Sequence, residues 1–360
     1  MAIGWALVST GRHADTCLAP ALGLAEDTHL VAVYSREQER AEAFATKHGA
    51  QVAYTSLEAL VADARVEVVC IASPNFLHAP YTLMAARAGK HVLVEKPMAV
   101  SVEEAFEMVQ TCQAHGVRLG VGFHLRHHPG HQEARRLIRE GVLGTMTLVH
   151  AQWGNGQRGR VEMAPEHLIP LRSGPRSAWW GTSTQIGRAY AMMAQGVHCV
   201  DLLHFLLGQH VVEVAAMTDG QTPESPLERL ATLCLRFNGG TIGTVCCGFK
   251  MPDTKNDATL YGSRGRIVLG HSLWTTLQGS LEVVSDTVQT TMTYPRDPLA
   301  LYTRQVEAFN RALRQQEEPI ASGLDGLRAV QVTEAMIASA ARGRTVKLEP
   351  LSVYKRPDHC

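Results

Sequence analysis

The sequence predicts an α/β protein of two domains: an N-terminal doubly wound parallel sheet at residues 1–123 and a C-terminal α+β domain at residues 124–360. The second sheet is expected to be open-faced and mainly antiparallel. Strands and helices alternate through the first third of the chain, whereas β-rich runs dominate the remainder. A chain of 360 residues is also longer than one hydrophobic core usually grows.

Five apolar runs in the first domain have the Val, Ile and Leu content of strands that are buried on both faces. These predicted strands are Ile3–Val8, His29–Tyr34, Val66–Ile71, His91–Val94 and Val117–Val121. Helices are predicted between them, at Ala14–Leu22, Glu37–His48, Leu57–Ala62, Pro80–Ala88 and Val102–His115. Three glycines stand where helices commonly end, at Gly49, Gly89 and Gly116. Strict alternation of strand and helix predicts a parallel sheet.

The second domain contains eight predicted strands and two closing helices. The strands are Thr147–Gln152, Val211–Met217, Leu230–Phe237, Thr241–Cys247, Ala258–Tyr261, Arg266–Leu269, Leu281–Val284 and Val288–Thr293. The closing helices are Leu301–Gln315 and Leu327–Arg342. Asn238-Gly239-Gly240 predicts a hairpin turn between two of the strands. The long irregular stretch 154–190 is rich in Gly, Pro, Arg and Ser, which is typical of a functional loop.

Charge and composition exclude several classes of partner. Thirty-four basic and thirty-four acidic residues leave no net charge, so neither a nucleic acid nor a membrane is expected as a partner. No apolar run reaches the roughly 18 residues of a membrane span, and the N-terminus lacks the basic region of a signal peptide. Eight scattered cysteines without a CxxC pair indicate reduced thiols in a cytoplasmic protein.

The turn after the first strand is a candidate dinucleotide-binding turn. In Ser9-Thr10-Gly11-Arg12-His13-Ala14, the three special positions of a G-x-G-x-x-G/A pattern are filled by Ser9, Gly11 and Ala14. Gly11 allows the backbone to approach a pyrophosphate at the helix N-terminus, and Ala14 permits close packing of helix on sheet. The whole turn, Ser9 to His13, is therefore predicted to bind the cofactor.

The end of the second strand favours NADP(H), with NAD(H) as the alternative. An NAD enzyme usually has an acidic residue at this strand end, and positions 33 to 35 contain none. Ser35 and Arg36 are instead placed to bind a 2′-phosphate, with Arg40 one helical turn further on. The competing interpretation is that these residues only form the solvated start of a helix.

Two further strand ends carry candidate site residues. Ser73-Pro74-Asn75 forms a turn, in which Asn75 and His78 either contact the ribose or nicotinamide or cap the following helix. Glu95-Lys96-Pro97 follows His91–Val94, and a lysine there lies where open α/β sheets bind ligands. Considered alone, Glu95-Lys96 also fits a solvated surface ion pair.

Histidines mark the start of the second domain. His124, His127, His128 and His131 resemble a metal cluster, but no second ligand group has zinc spacing, and no metal is expected. His198 and Asp201 lie three residues apart on one face of a predicted helix. This pair is either part of the site or a core histidine satisfied by a carboxylate.

Taken together, the motifs resemble the Gfo/Idh/MocA oxidoreductases. The resemblance is carried by Glu95-Lys96-Pro97, the Ser-Pro-Asn turn with His78, Phe123…Arg126…Pro129, Gly196-x-His198-x-x-Asp201 and Tyr302…Phe309. It covers nearly the whole chain. The segments Ser35–Arg40 and His124-Leu125-Arg126 resemble an NADP-dependent reductase subgroup of that family.

The resemblance implies a Rossmann domain, a sheet domain that often mediates oligomer formation, and an active site between them. Lys96 and His198 would be the catalytic pair. The cofactor would be lined by Ser9, Thr10, Gly11, Arg12, His13, Ser35, Arg36, Arg40, Ser73, Pro74, Asn75, His78, Glu95, Lys96, Arg126, Trp180 and Tyr302. A homodimer or homotetramer through the C-terminal sheet is expected.

The chain departs from the family pattern at one functional position. The family usually has a glycine triplet and an aspartate four residues before the histidine, where this chain has Arg188-Ala189-Tyr190 and Ala194. The catalytic carboxylate is therefore absent. Tyr190 and Asp201 are the candidates to compensate for it, and His124 is a further substrate-binding candidate.

The expected activity is hydride transfer between NADP(H) and a hydroxyl or ketone carbon of a sugar-like or cyclic polyol. Lys96 would polarise the oxygen, and His198, titrating near neutrality, would deliver or accept the proton. One alternative is divergent chemistry on the same fold: C=C or C=N reduction, or dehydrogenation of a non-sugar cyclic diol. The other is a non-catalytic NADP-binding sensor or subunit, against which the retention of Lys96 and His198 argues.

Overall fold

Six parallel strands form the first sheet in the computed structural model, which describes residues 2–155, 182–219 and 227–351. They are β1 (Ile3–Val8), β2 (Thr28–Tyr34), β3 (Val52–Tyr54), β4 (Val68–Ile71), β5 (His91–Val94) and β6 (Leu119–Val121). Their order across the sheet is β3-β2-β1-β4-β5-β6, and every pairing is parallel. The predicted doubly wound sheet is confirmed. The strand order reverses between β1 and β4, which places the ligand crevice at the carboxyl ends of these strands.

Helices connect these strands much as the sequence predicts. A π-helical turn, Ala14–Leu18, leads into α1 (Ala19–Leu24), and the later helices are α2 (Gln38–His48), α3 (Leu57–Ala62), α4 (His78–Arg87) and α5 (Val102–Ala114). Gly49, Gly89 and Gly116 all have positive φ angles of 66° to 73°, as the ends of helices require. The sequence analysis missed β3, because three half-buried residues are too short to show a periodic pattern.

Nine strands form the second sheet, which is mixed but mainly antiparallel. They are β7 (Met146–Gly154), β8 (Val211–Thr218), β9 (Leu230–Phe237), β10 (Ile242–Gly248), β11 (Ala258–Gly262), β12 (Gly265–Gly270), β13 (Leu277–Ser285), β14 (Gln289–Asp297) and β15 (Val346–Lys347). All eight predicted strands are present, and β15 is an additional edge strand. Only the β7–β10 pairing is parallel among those between the described strands of this sheet. The fold class is thus confirmed.

Among the described residues, helices cover one face of the second sheet and leave the other face open. The remaining helices are α6 (Pro129–Arg139), α7 (Ser183–Ile186), α8 (Val197–Leu207), α9 (Ala300–Gln315) and α10 (Gly323–Arg342), of which α8 packs on β7 and α10 on β8. Alternate residues of β9 are buried and exposed. On the open face, Leu148, Ile242 and Tyr261 are cross-strand neighbours and remain exposed.

The last helices return to pack on the first domain. Helix α9 packs against α1 and α10 against α5, and Gly120 forms an isolated bridge with Ser322. The Trp5 indole N–H donates to Asn310 Oδ1 at 3.1 Å, while the ring meets Phe309 edge-on at 5.6 Å. These contacts therefore hold the two domains together. Over the described ranges, no helix is both long enough and apolar enough to span a membrane.

Candidate active site

Lys96 lies just past the carboxyl end of β5, and a backbone carbonyl of the second domain anchors its side chain. Its Nζ donates to the carbonyl oxygen of Ala194 at 3.2 Å. Ala194 belongs to the π-helical turn Met192–Gly196 that precedes α8. A main-chain oxygen thus contacts the lysine at the position where the family usually has an aspartate. Burial lowers the pKa of Lys96, against the opposing effect of the Glu95 carboxylate.

Glu95 forms an ion pair with His13 of the candidate dinucleotide-binding turn. Glu95 Oε1 lies 3.2 Å from His13 Nε2. Burial alone would lower the pKa of His13, but the Glu95 carboxylate and the Cys17 side chain together outweigh it and raise the pKa to about 10. Burial would likewise raise the pKa of Glu95, and the nearby imidazolium instead lowers it to about 2. A Cβ at Gly122 would lie 2.7 Å from Glu95 Oε1, so this carboxylate needs glycine beside it.

His198 stands in an aromatic cluster from three elements. Its ring stacks on Trp153 at the end of β7, with centroids 4.9 Å apart, and meets His124 edge-on at 4.7 Å. His124 in turn lies 5.2 Å from the Tyr302 ring and its Nε2 bonds the Trp274 carbonyl at 3.0 Å. His198 Nδ1 is buried, and the described residues offer it no hydrogen-bond partner.

The charge state of His198 differs from the expectation. Burial, and then the nearby Lys96 ammonium, lower the pKa of His198 well below its ordinary value, so the ring is neutral at pH 7. The prediction that it titrates near neutrality was therefore wrong. The same electrostatic coupling shows that the fold brings Lys96 and His198, 102 residues apart in sequence, to one place. Lys96 is the cation of the pair and His198 is the neutral member.

The segment predicted to bind the cofactor lies at the carboxyl ends of β1 and β2. The Gly11 N–H donates to Ser9 Oγ at 3.0 Å, and a Cβ at Gly11 would meet only that oxygen, at 3.2 Å. The backbone here stays open to an approaching phosphate at a helix start, which also includes Arg12 and His13. Thr10 Oγ1 lies 3.3 Å from Ser35 Oγ and links the two strand ends. These residues fit a dinucleotide.

The two arginines that follow β2 differ in their surroundings. Arg36 is exposed, and the described residues offer it no ion-pair partner. Arg40 lies 3.6 Å from Glu37, one helical turn away. Arg36 is therefore the freer of the two guanidinium groups for a phosphate.

The turn after β4 is held by its own polar side chains. Asn75 Nδ2 donates to the carbonyl of Ile186 at 3.1 Å, which joins this turn to α7 in the second domain. His78 lies between two carbonyl oxygens, that of Pro97 at 2.8 Å and that of Ser73 at 2.9 Å. Ser73 Oγ is 3.5 Å from the Pro74 carbonyl. Asn75 and His78 are buried and brace the loop that carries Lys96.

Arg126 and Asp201, predicted to contact cofactor and substrate respectively, are paired with each other. The guanidinium donates to Asp201 at 2.6 to 3.1 Å, to Asp325 at 3.1 Å and to the Ile320 carbonyl at 2.6 Å. Arg126 is 4% exposed and Asp201 is 1% exposed. Asp201 thus binds Arg126 and not His198. The Arg126–Asp201 pair joins the start of the second domain to α8 and α10. Both side chains are buried because they lie between these elements.

The remaining predicted site residues that the structure describes, Tyr302 and Tyr190, have different surroundings. Tyr302 is buried, with its ring 5.3 Å from His13, so it lies at the edge of the site. The Tyr190 ring packs on Phe249 at 5.0 Å. Trp180 and most of the stretch 154–190 are outside the described residues.

Three of the four clustered histidines, His124, His128 and His131, have hydrogen-bond partners within the protein. The Nε2 of His128 bonds the Gln278 carbonyl at 3.0 Å, and His131 bridges the Leu125 carbonyl at 2.8 Å and Ser272 Oγ at 2.9 Å. Helix α6 begins at Pro129, a position at which proline commonly starts a helix. Within the described ranges, no three His, Cys, Asp or Glu side chains are grouped to hold a metal.

Three groups at the site were missed from the sequence: the Ala194 carbonyl, Trp153 and Glu228. Trp153 directly follows the predicted strand Thr147–Gln152, so the strand-end argument that found Lys96 could have found it. Glu228 is a buried carboxylate that accepts the backbone N–H groups of Tyr190 and Met192. No local sequence pattern identifies a side chain that accepts hydrogen bonds from backbone N–H groups far away in the sequence.

The first domain is a parallel sheet of the kind that binds dinucleotides, and the lysine at the carboxyl ends of its strands faces a histidine of the second domain. This arrangement defines a two-domain nicotinamide oxidoreductase. The profile described as "Oxidoreductase family, NAD-binding Rossmann fold" matches residues 3–123, and the GFO/IDH/MocA C-terminal domain matches residues 131–268. The chain belongs to the GFO/IDH/MocA oxidoreductase family.

Individual relatives agree with this family. The chain is 29% identical to 1,5-anhydro-D-fructose reductase of Ensifer adhaerens, over 96% of this chain and 98% of that protein. It is 30% identical to trans-1,2-dihydrobenzene-1,2-diol dehydrogenase of Mus musculus, over 76% of each. The aldose-aldose oxidoreductase of Caulobacter crescentus, solved with glycerol, has the same fold, with a TM-score of 0.82 and 24% identity over 97% of this chain and all of that one. The reductase subgroup that Ser35–Arg40 and His124-Leu125-Arg126 resemble is that of the 1,5-anhydrofructose reductases.

Proposed function

We propose that this protein transfers a hydride between NADP(H) and a hydroxyl or ketone carbon of a sugar-like or cyclic polyol substrate. The observation that carries the proposal is the Lys96 ammonium, held by the Ala194 carbonyl and electrostatically coupled to the neutral His198 ring. The activities of the two relatives, a 1,5-anhydro-D-fructose reductase and a dihydrobenzenediol dehydrogenase, support a cyclic, hydroxylated substrate.

The residues divide the proton chemistry between them. A bound nicotinamide supplies or accepts the hydride, so the protein must move one proton at the substrate oxygen. Lys96 is the proton donor during reduction, because its lowered pKa makes the ammonium a stronger acid than a lysine in water. In oxidation the neutral amine takes the proton back. His198, as a neutral ring, orients the substrate hydroxyl by hydrogen bonding.

A substrate panel tests this function. Purified protein is titrated with NADPH and NADH by fluorescence, then assayed at the cofactor absorbance band with 1,5-anhydrofructose, aldoses, inositols and cyclic dihydrodiols. Cyclic enones and imines test the divergent chemistry. Turnover of hydroxyl or ketone substrates is expected. Tight cofactor binding without turnover of any compound would contradict the proposal and favour a sensor.

We further propose a preference for NADP(H), which rests on Ser35 and Arg36. Arg36→Ala is expected to weaken NADPH binding by about tenfold, because a charge-assisted phosphate contact contributes about 1.5–3 kcal/mol. NADH binding should change by less than about twofold, since it has no 2′-phosphate to lose. Arg40→Ala is the matched control, with a smaller effect because Glu37 already neutralises Arg40. Equal loss of NADPH and NADH affinity in Arg36→Ala would overturn the preference.

The open face of the second sheet is proposed to bind a second copy of the chain, giving a homodimer or homotetramer. Leu148, Ile242 and Tyr261 form an exposed row there, and Met217 extends the same face. Ile242→Asp is expected to shift the sedimentation coefficient of the wild-type assembly toward that of a monomer. A monomeric wild type, or an unchanged coefficient in the variant, would contradict this interface.

The free cysteines of the described residues support a cytoplasmic location.

A further inference from the structure

A buried carboxylate lies behind the turn that carries Ala194. Glu228, just before β9, is fully buried, and its Oε1 accepts the N–H groups of Tyr190 at 3.0 Å and Met192 at 2.9 Å. Its Oε2 lies 2.9 Å from the Tyr190 nitrogen, and its own carbonyl accepts the Ala191 N–H at 3.3 Å. The helical segment that starts here has no side-chain cap of its own. Glu228 therefore caps it from a separate part of the chain.

A continuous series of hydrogen bonds links this carboxylate to Lys96. The Tyr190 N–H donates to Glu228, and the Tyr190 carbonyl accepts the Ala194 N–H at 3.0 Å. The Ala194 carbonyl then accepts Lys96 Nζ at 3.2 Å. His198 follows on the first turn of α8, on the same helical segment. The position of both proposed catalytic groups thus depends on the start of one helix.

We propose that Glu228 is a positioning residue for the active site, fixing the helix start so that the Ala194 carbonyl and His198 meet Lys96. Glu228 takes the structural part that the absent aspartate at position 194 cannot supply, without touching the reacting atoms. The effect on kcat that this inference predicts rests on the proposed function. The predicted effect on the position of Lys96 does not rest on it.

The surroundings of Glu228 make this positioning sensitive to pH. Burial raises the pKa of Glu228 to about 7, against the stabilising backbone N–H groups. The charged and titratable groups that face it are Asp219, which Lys250 pairs at 2.6 Å, and the buried Cys247 thiol. As pH falls through about 7, the carboxylate is protonated and its charge-assisted bonds to Tyr190 and Met192 weaken.

Two substitutions separate positioning from charge. Glu228→Gln keeps an acceptor at the Oε1 position for both N–H groups and loses only the second contact, from Oε2 to the Tyr190 N–H, whereas Glu228→Ala leaves both groups buried and unpaired. We expect Glu228→Ala to lower kcat by about 10- to 100-fold, with Kd for NADPH changed less than about twofold. Glu228→Gln should restore kcat to within about threefold of wild type above pH 8, and its activity should lack the acid limb near pH 7.

Glu67, which is exposed, provides a control for the loss of a carboxylate that accepts a backbone N–H. Its Oε1 also accepts a backbone N–H, that of Gly4 at 3.0 Å, but in the first sheet and away from Lys96. Glu67→Ala should leave kcat unchanged within about twofold, because this bond does not hold the active-site helix. An equal kcat loss in both alanine variants would show a general stability effect and overturn the positioning role.

Hydrogen exchange tests the inference without any substrate. In Glu228→Ala, amides of residues 190–198 should lose about 10-fold or more of their protection, and Lys96 should be acetylated faster by acetic anhydride, as mapped by mass spectrometry. Wild-type exchange and Lys96 reactivity in this variant would overturn the inference. If no substrate is turned over, the proposed function fails while these two readouts still decide the role of Glu228. If Glu228→Ala does not fold, the pH profile of kcat in Glu228→Gln decides the role of Glu228. An acid limb that is retained in this variant overturns the inference, and a lost acid limb supports it.

Discussion

Lys96→Met is expected to lower kcat/KM by at least about 10³-fold while leaving NADPH affinity within about threefold of wild type. Proton transfer by a positioned side chain contributes about 10²–10⁴-fold to rate, and methionine has the length of lysine without a proton to give. His198 cannot compensate, because burial keeps it neutral at pH 7. The proposed cofactor-binding strand ends at Ser9–His13 and Ser35–Arg36 are unchanged in this variant, so cofactor binding should persist.

The measurement combines a fluorescence titration with NADPH and steady-state rates on the substrate that the panel identifies. Lys90→Met is the matched control, because Lys90 lies at the opposite end of β5 and donates to the carbonyls of Asp63 at 3.0 Å and Val66 at 2.7 Å. That variant should be less stable but fully active per folded molecule. An active Lys96→Met enzyme would remove lysine from the mechanism.

Arg126→Met is expected to destabilise the folded protein by about 3–5 kcal/mol, because it leaves Asp201 buried without its cation. The guanidinium also contacts Asp325, the Ile320 carbonyl and the Phe205 ring, whose centroid is 5.2 Å away. Denaturant unfolding at fixed pH measures the loss. A change below about 1 kcal/mol would mean that water reaches the pair and screens it.

The pH dependence of this variant has a definite sign. Burial already raises the pKa of Asp201 to about 6, although Arg126 opposes it, and removing the arginine raises this pKa further. Protonation then relieves the unpaired charge, so the loss of unfolding free energy should be smaller at pH 5 than at pH 8. The double variant Arg126→Met/Asp201→Leu should recover part of the stability at pH 8, since it removes both charges.

The sequence was sufficient where function depends on local pattern. Apolar runs located all but the shortest strands, and the strand-end argument placed Lys96 at the ligand edge. It failed where partners meet only in three dimensions. Arg126 and Asp201, 75 residues apart, were assigned to different ligands because nothing local shows that they bind each other. The pKa of His198 was misjudged for the same reason, since its burial depends on Trp153 and His124.

The carboxylate missing at position 194 shows the other limit of sequence reasoning. A search for its replacement among side chains pointed to Tyr190 and Asp201, whereas the contact to Lys96 comes from the backbone of Ala194 itself. Every residue has a carbonyl, so no residue type could reveal this anchor. Glu228 was likewise invisible, because its role depends on backbone N–H groups 36 and 38 residues earlier in the chain.

The packing of α9 and α10 on the first domain restricts how the cleft can open. A hinge rotation about the connection between β6 and the second domain would have to separate α9 from α1, break the Trp5–Asn310 hydrogen bond and part Gly120 from Ser322. Hinges normally pass through few contacts. Substrate and cofactor are therefore expected to enter and leave along the rim of the cleft, with the two domains moving as one body throughout the catalytic cycle.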